Sequence, residues 1–388
     1  MKKNISIFIN SITAGGAERV VSLLLQQLNN DFDIHLVLLN NKIEYELPVD
    51  QKIFCFNQPE NENPFLTICK LPLLAYRYKK FCLKNKIEKS FSFLKRPNYI
   101  NCLSRVFGSS STIIISERSY LSAYLKSMDG PGRMLGKYLT KTLYPKADLV
   151  VPNSLLIQID LQEKFNIHTR FCVINNPIDV KRIQLLEMEL VDDSIFGKFT
   201  FIHVGGFRPE KNHRMLIDAF SRIQDLDCKL LLLGKGLGKA EDEEKMKQKV
   251  QQMNLQSRVI FLGFDSNPFK YLCRSDCFVL TSDFEGFPNS LQEALACSLP
   301  AISTDCRSGP REILAPGSDV RLSIEDKFEI AKYGILVPVN NVEILAQAMR
   351  RMYNDKELGA QYRSKALERA SDYDISRVMN EFKEMLLA

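Results

Sequence analysis

Cys277-Phe278-Val279-Leu280-Thr281-Ser282-Asp283-Phe284-Glu285-Gly286-Phe287-Pro288-Asn289-Ser290-Leu291-Gln292-Glu293-Ala294-Leu295-Ala296 decides the fold. The apolar run Cys277 to Leu280 reads as a buried parallel strand, and Leu291 to Ala296 as a helix that starts at the Pro-Asn-Ser turn. This order sets the helix's first amides at the carboxyl edge of a sheet, a place where phosphate is bound. Glu285 sits in the loop, where a carboxylate can reach hydroxyls, and Glu293 lies one turn into the helix. Together they suit a phosphorylated, hydroxyl-rich ligand such as a nucleotide sugar. Ser290-x-x-Glu293 is also a capping box, so a structural reading of Glu293 stands beside the binding one.

Outward from this unit, strands and helices alternate along most of the chain. Strand-like runs fall at Ile5 to Ile9, His35 to Leu39, Ser90 to Leu94, Thr112 to Ser116 and Asp148 to Val151, with helical stretches such as Ala17 to Leu28 and Leu73 to Lys89. After Asn175-Asn176-Pro177 the alternation resumes, with strands at Phe199 to Val204, Lys229 to Leu233, Val259 to Leu262, Cys277 to Leu280 and Ala301 to Thr304. The pattern predicts an α/β protein of two doubly wound, Rossmann-like domains facing an interdomain cleft. Residues 1–182 form the first and 183–370 the second; 371–388 form a C-terminal helix packing back on the first.

With 388 residues and a hydrophobic fraction of 45%, the chain exceeds one ordinary core. Ten cysteines without a Cys-x-x-Cys pair and four histidines suggest neither a disulfide framework nor a zinc site, and point to a reducing cytoplasm. Lys2 and Lys3 before Ile5 to Ile12 imitate a signal peptide, but Asn10, Ser11 and Thr13 interrupt the run, which reads as a first strand. Nothing reaches the roughly 18 unbroken apolar residues of a membrane span, so membrane contact is expected to be peripheral. Net charge is +10 over residues 1–182 and −4 over 183–388, and residues 70–105 hold ten basic side chains against one acid, Glu88. The N-terminal half is expected to face something anionic.

The loops at the carboxyl ends of the strands carry the chemistry. Thr13-Ala14-Gly15-Gly16-Ala17-Glu18-Arg19 opens a helix with two glycines, either to admit a ligand to the backbone or as a plain strand-to-helix turn. It lacks Gly-x-Gly-x-x-Gly. In His203-Val204-Gly205-Gly206-Phe207-Arg208-Pro209-Glu210-Lys211-Asn212, Arg208 and Lys211 sit three apart as a helix begins and can set two cations over one diphosphate. Gly234-Lys235-Gly236-Leu237-Gly238 is a weak dinucleotide fingerprint and reads better as a loop beside a base or ribose; Gly263-Phe264-Asp265 is a second such loop or a strand-end turn. Ser308-Gly309-Pro310-Arg311-Glu312 lies next to the Glu285 loop in a parallel order.

These motifs together resemble the retaining glycosyltransferases of glycosyltransferase family four, which have the GT-B architecture. The resemblance spans nearly the whole chain and rests on Gly-Gly-Ala-Glu-Arg, Arg208-Pro-Glu-Lys211-Asn, the Glu-x7-Glu pair Glu285/Glu293, and Gly309-Pro310-Arg311-Glu312. It implies that Glu285 meets the donor sugar and Glu293 the ribose. Arg208 and Lys211 would hold the diphosphate, with the amides of Asn289, Ser290 and Leu291. Gly15, Gly16, Gly206, Lys235, Phe264 and Phe287 would complete the donor site. It implies transfer from a UDP-sugar with retention, no metal and no cofactor beyond the nucleotide-sugar co-substrate. The Asp31-Phe-Asp33, Asp225-Leu-Asp227 and Asp372-Tyr-Asp374 runs are then not metal sites. Where relatives carry a Ser-Glu-His-like segment, this chain has Ser116-Glu117-Arg118-Ser119. Arg118 is no neutral base at pH 7, though it can hydrogen-bond sugar or phosphate on the acceptor side.

The segment from Leu73 through Phe93 resembles the basic helix of N-acetylgalactosamine transferases that extend undecaprenyl-diphosphate-linked oligosaccharides. Arg77, Lys80 and Lys84 fall on one helix face and Tyr76, Leu83 and Ile87 on an adjacent one, while Lys79, Lys86 and Lys89 add charge. The expected partners are a nucleotide sugar, a polyprenyl-diphosphate-linked saccharide and an anionic membrane surface at the inner face of the cytoplasmic membrane, with no nucleic acid. Two other readings compete: an NAD-dependent oxidoreductase, from Gly234 to Gly238, and a nucleic-acid binder stacking bases on Tyr76, Tyr78, Phe81 and Phe91.

Overall fold

The computed structural model describes residues 2–13, 15–60, 62–128, 130–236 and 241–388. Two compact units divide the chain: residues 1–177 with 376–388, and residues 178–375.

In the first unit, β1 (Lys3–Ile9), β2 (Phe32–Leu38), β3 (Lys52–Cys55), β4 (Lys89–Phe93), β5 (Thr112–Glu117) and β6 (Leu149–Pro152) form one parallel sheet ordered β3-β2-β1-β4-β5-β6. Chain order reverses beside β1, whose neighbours are β2 and β4. The helix Ile375–Leu387 starts at the unit boundary, and its later residues pack on this sheet. Phe382 is fully buried 6.1 Å from the Phe91 ring, and Lys383 reaches Asp31 at 2.6 Å.

The second unit contains β7 (Phe199–Val204), β8 (Cys228–Leu233), β9 (Val259–Gly263), β10 (Cys277–Leu280), β11 (Ala301–Thr304), β12 (Glu329–Ile330) and β13 (Ile335–Val337), ordered β12-β13-β11-β10-β7-β8-β9. Only β12 runs antiparallel, at the edge. Alternate residues of β10 serve opposite cores: Phe278 and Leu280 join one apolar cluster, and Cys277 and Val279 the other. Burial on both faces explains why these strands read as unbroken apolar runs.

The first unit ends at Pro177, not at residue 182, because Val180 and Ile183 pack in the second unit's core with Phe269 and Leu272. The basic helix also differs from its sequence reading. It runs Leu71–Lys84 and stops there, since Lys86 takes a positive φ of 51° and Lys89 is already paired in β4 with Ile5 and Thr112.

Candidate active site

β7 and β10 are neighbours, yet the chain leaves β7 toward β8 and leaves β10 toward β11. Their exit loops therefore diverge at a topological switch point, the place where open α/β sheets hold ligands. The loop after β7 carries Arg208 and Lys211, and the loop after β10 carries Glu285. Lys211 Nζ donates to Glu285 Oε1 at 2.5 Å, and Ser282 Oγ donates to the same oxygen at 2.7 Å. Oε2 has no hydrogen-bond partner among the described residues.

Backbone and side-chain bonds hold the two loops in register. Asp283 N donates to Glu210 O at 2.8 Å, and Thr281 Oγ1 donates to Lys211 O at 2.9 Å. Asn212, at φ 49°, caps the helix His213–Ser221 by accepting from Met215 N, and its Nδ2 donates to Asp283 Oδ1 at 2.9 Å. Asn212, Asp283 and Ser282 were not among the expected site residues. An Asn just before a helix is a cap signal, but its link to Asp283 exists only in the folded sheet. Arg208 extends from the same loop, half exposed, and its one ion-pair contact among the described residues is a long 3.9 Å to Glu210.

From the β11 side, Glu285 N donates to Arg307 O at 2.7 Å and Ser308 Oγ to Gly286 O at 2.6 Å. The Ser308-Gly309-Pro310 loop thus braces the Gly286-Phe287-Pro288 turn, as the parallel order predicts, and Phe287 is buried against Tyr373. The following helix is Asn289–Ala296, with Pro288 as its cap residue and no side-chain cap bond. This corrects the capping-box reading: Pro288 stands extended at the cap position, so Ser290 lies two residues inside the helix. Glu293 is 6% exposed on that helix, and Asn289, Ser290 and Leu291 form its first turn.

Beneath the β7 loop, the buried His203 donates through Nδ1 to Val279 O at 2.8 Å. Its pKa is pushed down to about 4, chiefly by burial and further by the Lys211 charge. His213, 4.6 Å away between ring centroids, is driven well below its ordinary value, also by burial first. A Cβ added to Gly205 would fall 3.0 Å from His203 Nε2, and Gly205 N donates to Leu233 O at 2.9 Å. Lys235 Nζ lies 4.6 Å from the centroid of the Phe264 ring, which is exposed. Leu237 and Gly238 of the weak fingerprint are outside the described residues.

The remaining candidates lie on the first unit. Gly15 caps the helix Gly16–Leu28, and a Cβ added to it would fall 2.1 Å from Glu18 Oε2, so that side chain folds over the glycine; Ala14 is outside the described residues. Glu117 is buried and fully engaged, accepting from Arg118 N, Ser119 N and Ser119 Oγ on Oε1 and from Tyr144 OH on Oε2. Arg118 donates from Nη1 to Asn176 Oδ1 at 2.9 Å and lies over Phe93 and Phe382. Its Nε and Nη2 are buried without acceptors, and burial lowers its pKa to about 9. Arg77, Lys80 and Lys84 are exposed on the Leu71–Lys84 helix with Tyr76 and Leu83, whereas Ile87 is buried beyond its end. Tyr78 and Phe91 are fully buried, which removes two of the four aromatics proposed to stack bases.

The comparisons with known proteins agree with this architecture. Residues 193–369 match the family model described as glycosyl transferases group 1. A Campylobacter jejuni protein named N-acetylgalactosamine-N,N'-diacetylbacillosaminyl-diphospho-undecaprenol 4-alpha-N-acetylgalactosaminyltransferase is 38% identical over 99% of this chain and 100% of its own. A second C. jejuni relative, GalNAc-alpha-(1->4)-GalNAc-alpha-(1->3)-diNAcBac-PP-undecaprenol alpha-1,4-N-acetyl-D-galactosaminyltransferase, is 25% identical over 98% of both chains. Among solved structures, the sucrose-phosphate synthase of Thermosynechococcus elongatus superposes with a TM-score of 0.82, at 16% identity, over 99% of this chain and 98% of that one. The fold is the two-domain GT-B glycosyltransferase fold. The chain belongs to the group 1 glycosyltransferases, which displaces the dehydrogenase and nucleic-acid readings.

Proposed function

We propose that this glycosyltransferase moves N-acetylgalactosamine, or a related hexosamine or hexose, from a UDP-sugar to a polyprenyl-diphosphate-linked saccharide, with retention and without a metal. The observation that carries the reading is the Lys211–Glu285 pair at the switch point, with Arg208 on the same loop. The near full-length likeness to the C. jejuni transferase supports the acceptor class.

In this reading Lys211 and Arg208 bind the diphosphate and balance the charge that grows on it as the sugar departs. Glu285 Oε2 accepts from sugar hydroxyls, Glu293 from the ribose, and Lys235 and Phe264 border the base. The anomeric carbon–phosphate oxygen bond breaks, and the acceptor hydroxyl oxygen bonds to the same face of the sugar. The hydroxyl proton passes to the departing phosphate oxygen, and the nucleoside diphosphate leaves. No pair of carboxylates flanking the sugar is needed, unlike in glycoside hydrolysis. Arg77, Lys80 and Lys84 take the acceptor's diphosphate at the inner face of an anionic membrane.

Mass spectrometry of products from a panel of UDP-sugars and lipid-linked saccharides tests this. A product one sugar heavier, formed equally well in a chelator, is expected. Transfer only to water, or only in the presence of divalent metal, would refute it.

A further inference from the structure

The helix Gly130–Leu143 has no part in that reading, yet it shows an unusual exposed face. Its inner side is held to the unit: Thr140 and Leu143 are buried, and Tyr99 OH pairs with Thr140 Oγ1 at 2.9 Å. On an adjoining face, Arg133, Lys137 and Lys141 recur every four residues in one exposed row. Beside that row stand Met134, 74% exposed, and Tyr138, 64% exposed. Lys126, the last residue of the helix Leu121–Lys126, and Met128 just after it are exposed and extend the same composition. Lys126, Arg133, Lys137 and Lys141 have no carboxylate partner among the described residues. Residues 121–147 carry five basic side chains against one acid, Asp129.

Within the first unit this helix and the helix Leu71–Lys84 both pack against the helix Lys95–Ser104, which is largely buried. Two basic, partly apolar faces therefore belong to one layer of helices. Protein interfaces are depleted in lysine at their cores, whereas a bilayer surface accepts lysine stems beside apolar side chains and draws each ammonium to lipid phosphate. Tyrosine suits the headgroup level.

We propose that the Gly130–Leu143 helix lies on an anionic bilayer, with Met134 and Tyr138 at the acyl boundary and Arg133, Lys137 and Lys141 among the lipid phosphates. The proposal rests on the reading of a lipid-linked acceptor and divides the labour: this helix binds the surface, and Arg77, Lys80 and Lys84 bind the acceptor's diphosphate.

Co-sedimentation with vesicles of phosphatidylcholine, alone or mixed with phosphatidylglycerol, tests it on the full chain. Arg133→Glu/Lys137→Glu/Lys141→Glu is expected to weaken partition onto the mixed vesicles about a hundredfold or more. Met134→Ser/Tyr138→Ser is expected to weaken it less, and independently of salt. Both variants should keep the parent's melting temperature, donor hydrolysis and transfer to a short-chain, water-soluble acceptor, while losing transfer to acceptor embedded in vesicles. Parental vesicle binding by the charge-reversed variant would overturn the proposal, as would equal binding of the parent to both vesicle types. So would a variant that dissociates a dimer in sedimentation velocity but still binds lipid, which would make this face an interface between copies. If the parent binds mixed vesicles through this helix but transfers sugar to no lipid-linked acceptor, the functional reading fails and the surface assignment stands.

Discussion

Lys211 and Glu285 are 74 residues apart and share a hydrogen bond of 2.5 Å between Nζ and Oε1. The pair balances two charges that are both mostly shielded from water, with 20% and 13% of their side chains exposed. In the proposed reading, an entering diphosphate would give Lys211 a second anion and leave Glu285 anchored by Ser282. The carboxylate is then oriented before the donor arrives, which is the preorganisation that transition-state stabilisation requires.

Lys211→Ala is accordingly expected to lower kcat for transfer by about a hundredfold or more, since one preorganised charge partner of the departing group is lost. Arg208→Ala, at a half-exposed side chain, is expected to raise KM for the donor more than it lowers kcat. Initial rates across donor concentrations separate the two. Parental rates in both folded variants would exclude the diphosphate role.

Gly234 supports the same site from below. A Cβ at this position would lie 2.0 Å from Gly205 O and 3.3 Å from Gly206 N, both backbone atoms of the loop that leads to Arg208. Backbone cannot swing aside as a side-chain end can, so Gly234→Ala must displace the glycine pair. It is expected to destabilise the protein by more than about 1 kcal/mol and to weaken binding of UDP in calorimetry. An unchanged melting temperature with full UDP affinity would show that the close approach is unimportant.

Much of this was legible in the residues, for definite reasons. Cys277–Leu280 and Ala301–Thr304 match their sequence reading because strands buried on both faces leave unbroken apolar runs. The basic helix was read too long because its apolar spacing continues to Ile87, while the chain is pulled into β4 at Lys89 by pairing with Ile5 and Thr112. The Asn289–Ala296 helix starts at the Pro-Asn-Ser turn as its sequence indicates, but Ser290-x-x-Glu293 forms no capping box because Pro288 occupies the cap position. Nothing local announces the Lys211–Glu285 bond. It follows from β10 lying beside β7, a choice made by the whole sheet.

The buried histidines predict a pH dependence with a definite sign. His203 has a folded pKa of about 4 because burial disfavours its charged form, against an ordinary value near 6.5. Between these values the unfolded chain binds more protons, so this contribution to stability is complete above about pH 6.5 and is lost as pH falls toward 4. For His203 the loss is on the order of 3 kcal/mol, and His213 adds to it in the same direction. Urea unfolding at pH 7.5 and at pH 5 should therefore show a larger drop for the parent than for His203→Gln. Equal drops would mean that the ring does not stay neutral in the folded chain.

The exposed row of Arg77, Lys80 and Lys84 predicts a split between two reactions of one enzyme. Lys80 already lies 4.7 Å from the Tyr76 ring centroid and Arg77 5.2 Å from that of Phe56, so both cations are held near the helix surface by aromatic faces. Such cations suit a diphosphate, which accepts several charge-assisted bonds at once. Replacing all three with Glu sets like charge against that group, and transfer to a lipid-linked saccharide is expected to fall about a hundredfold, at roughly 1 kcal/mol or more per position. Donor hydrolysis, in which this row has no part in this reading, should fall much less. Rates of UDP release with and without acceptor, measured on the same preparation, distinguish the two effects. A parallel loss in both would assign the row to folding or donor binding instead of to the acceptor.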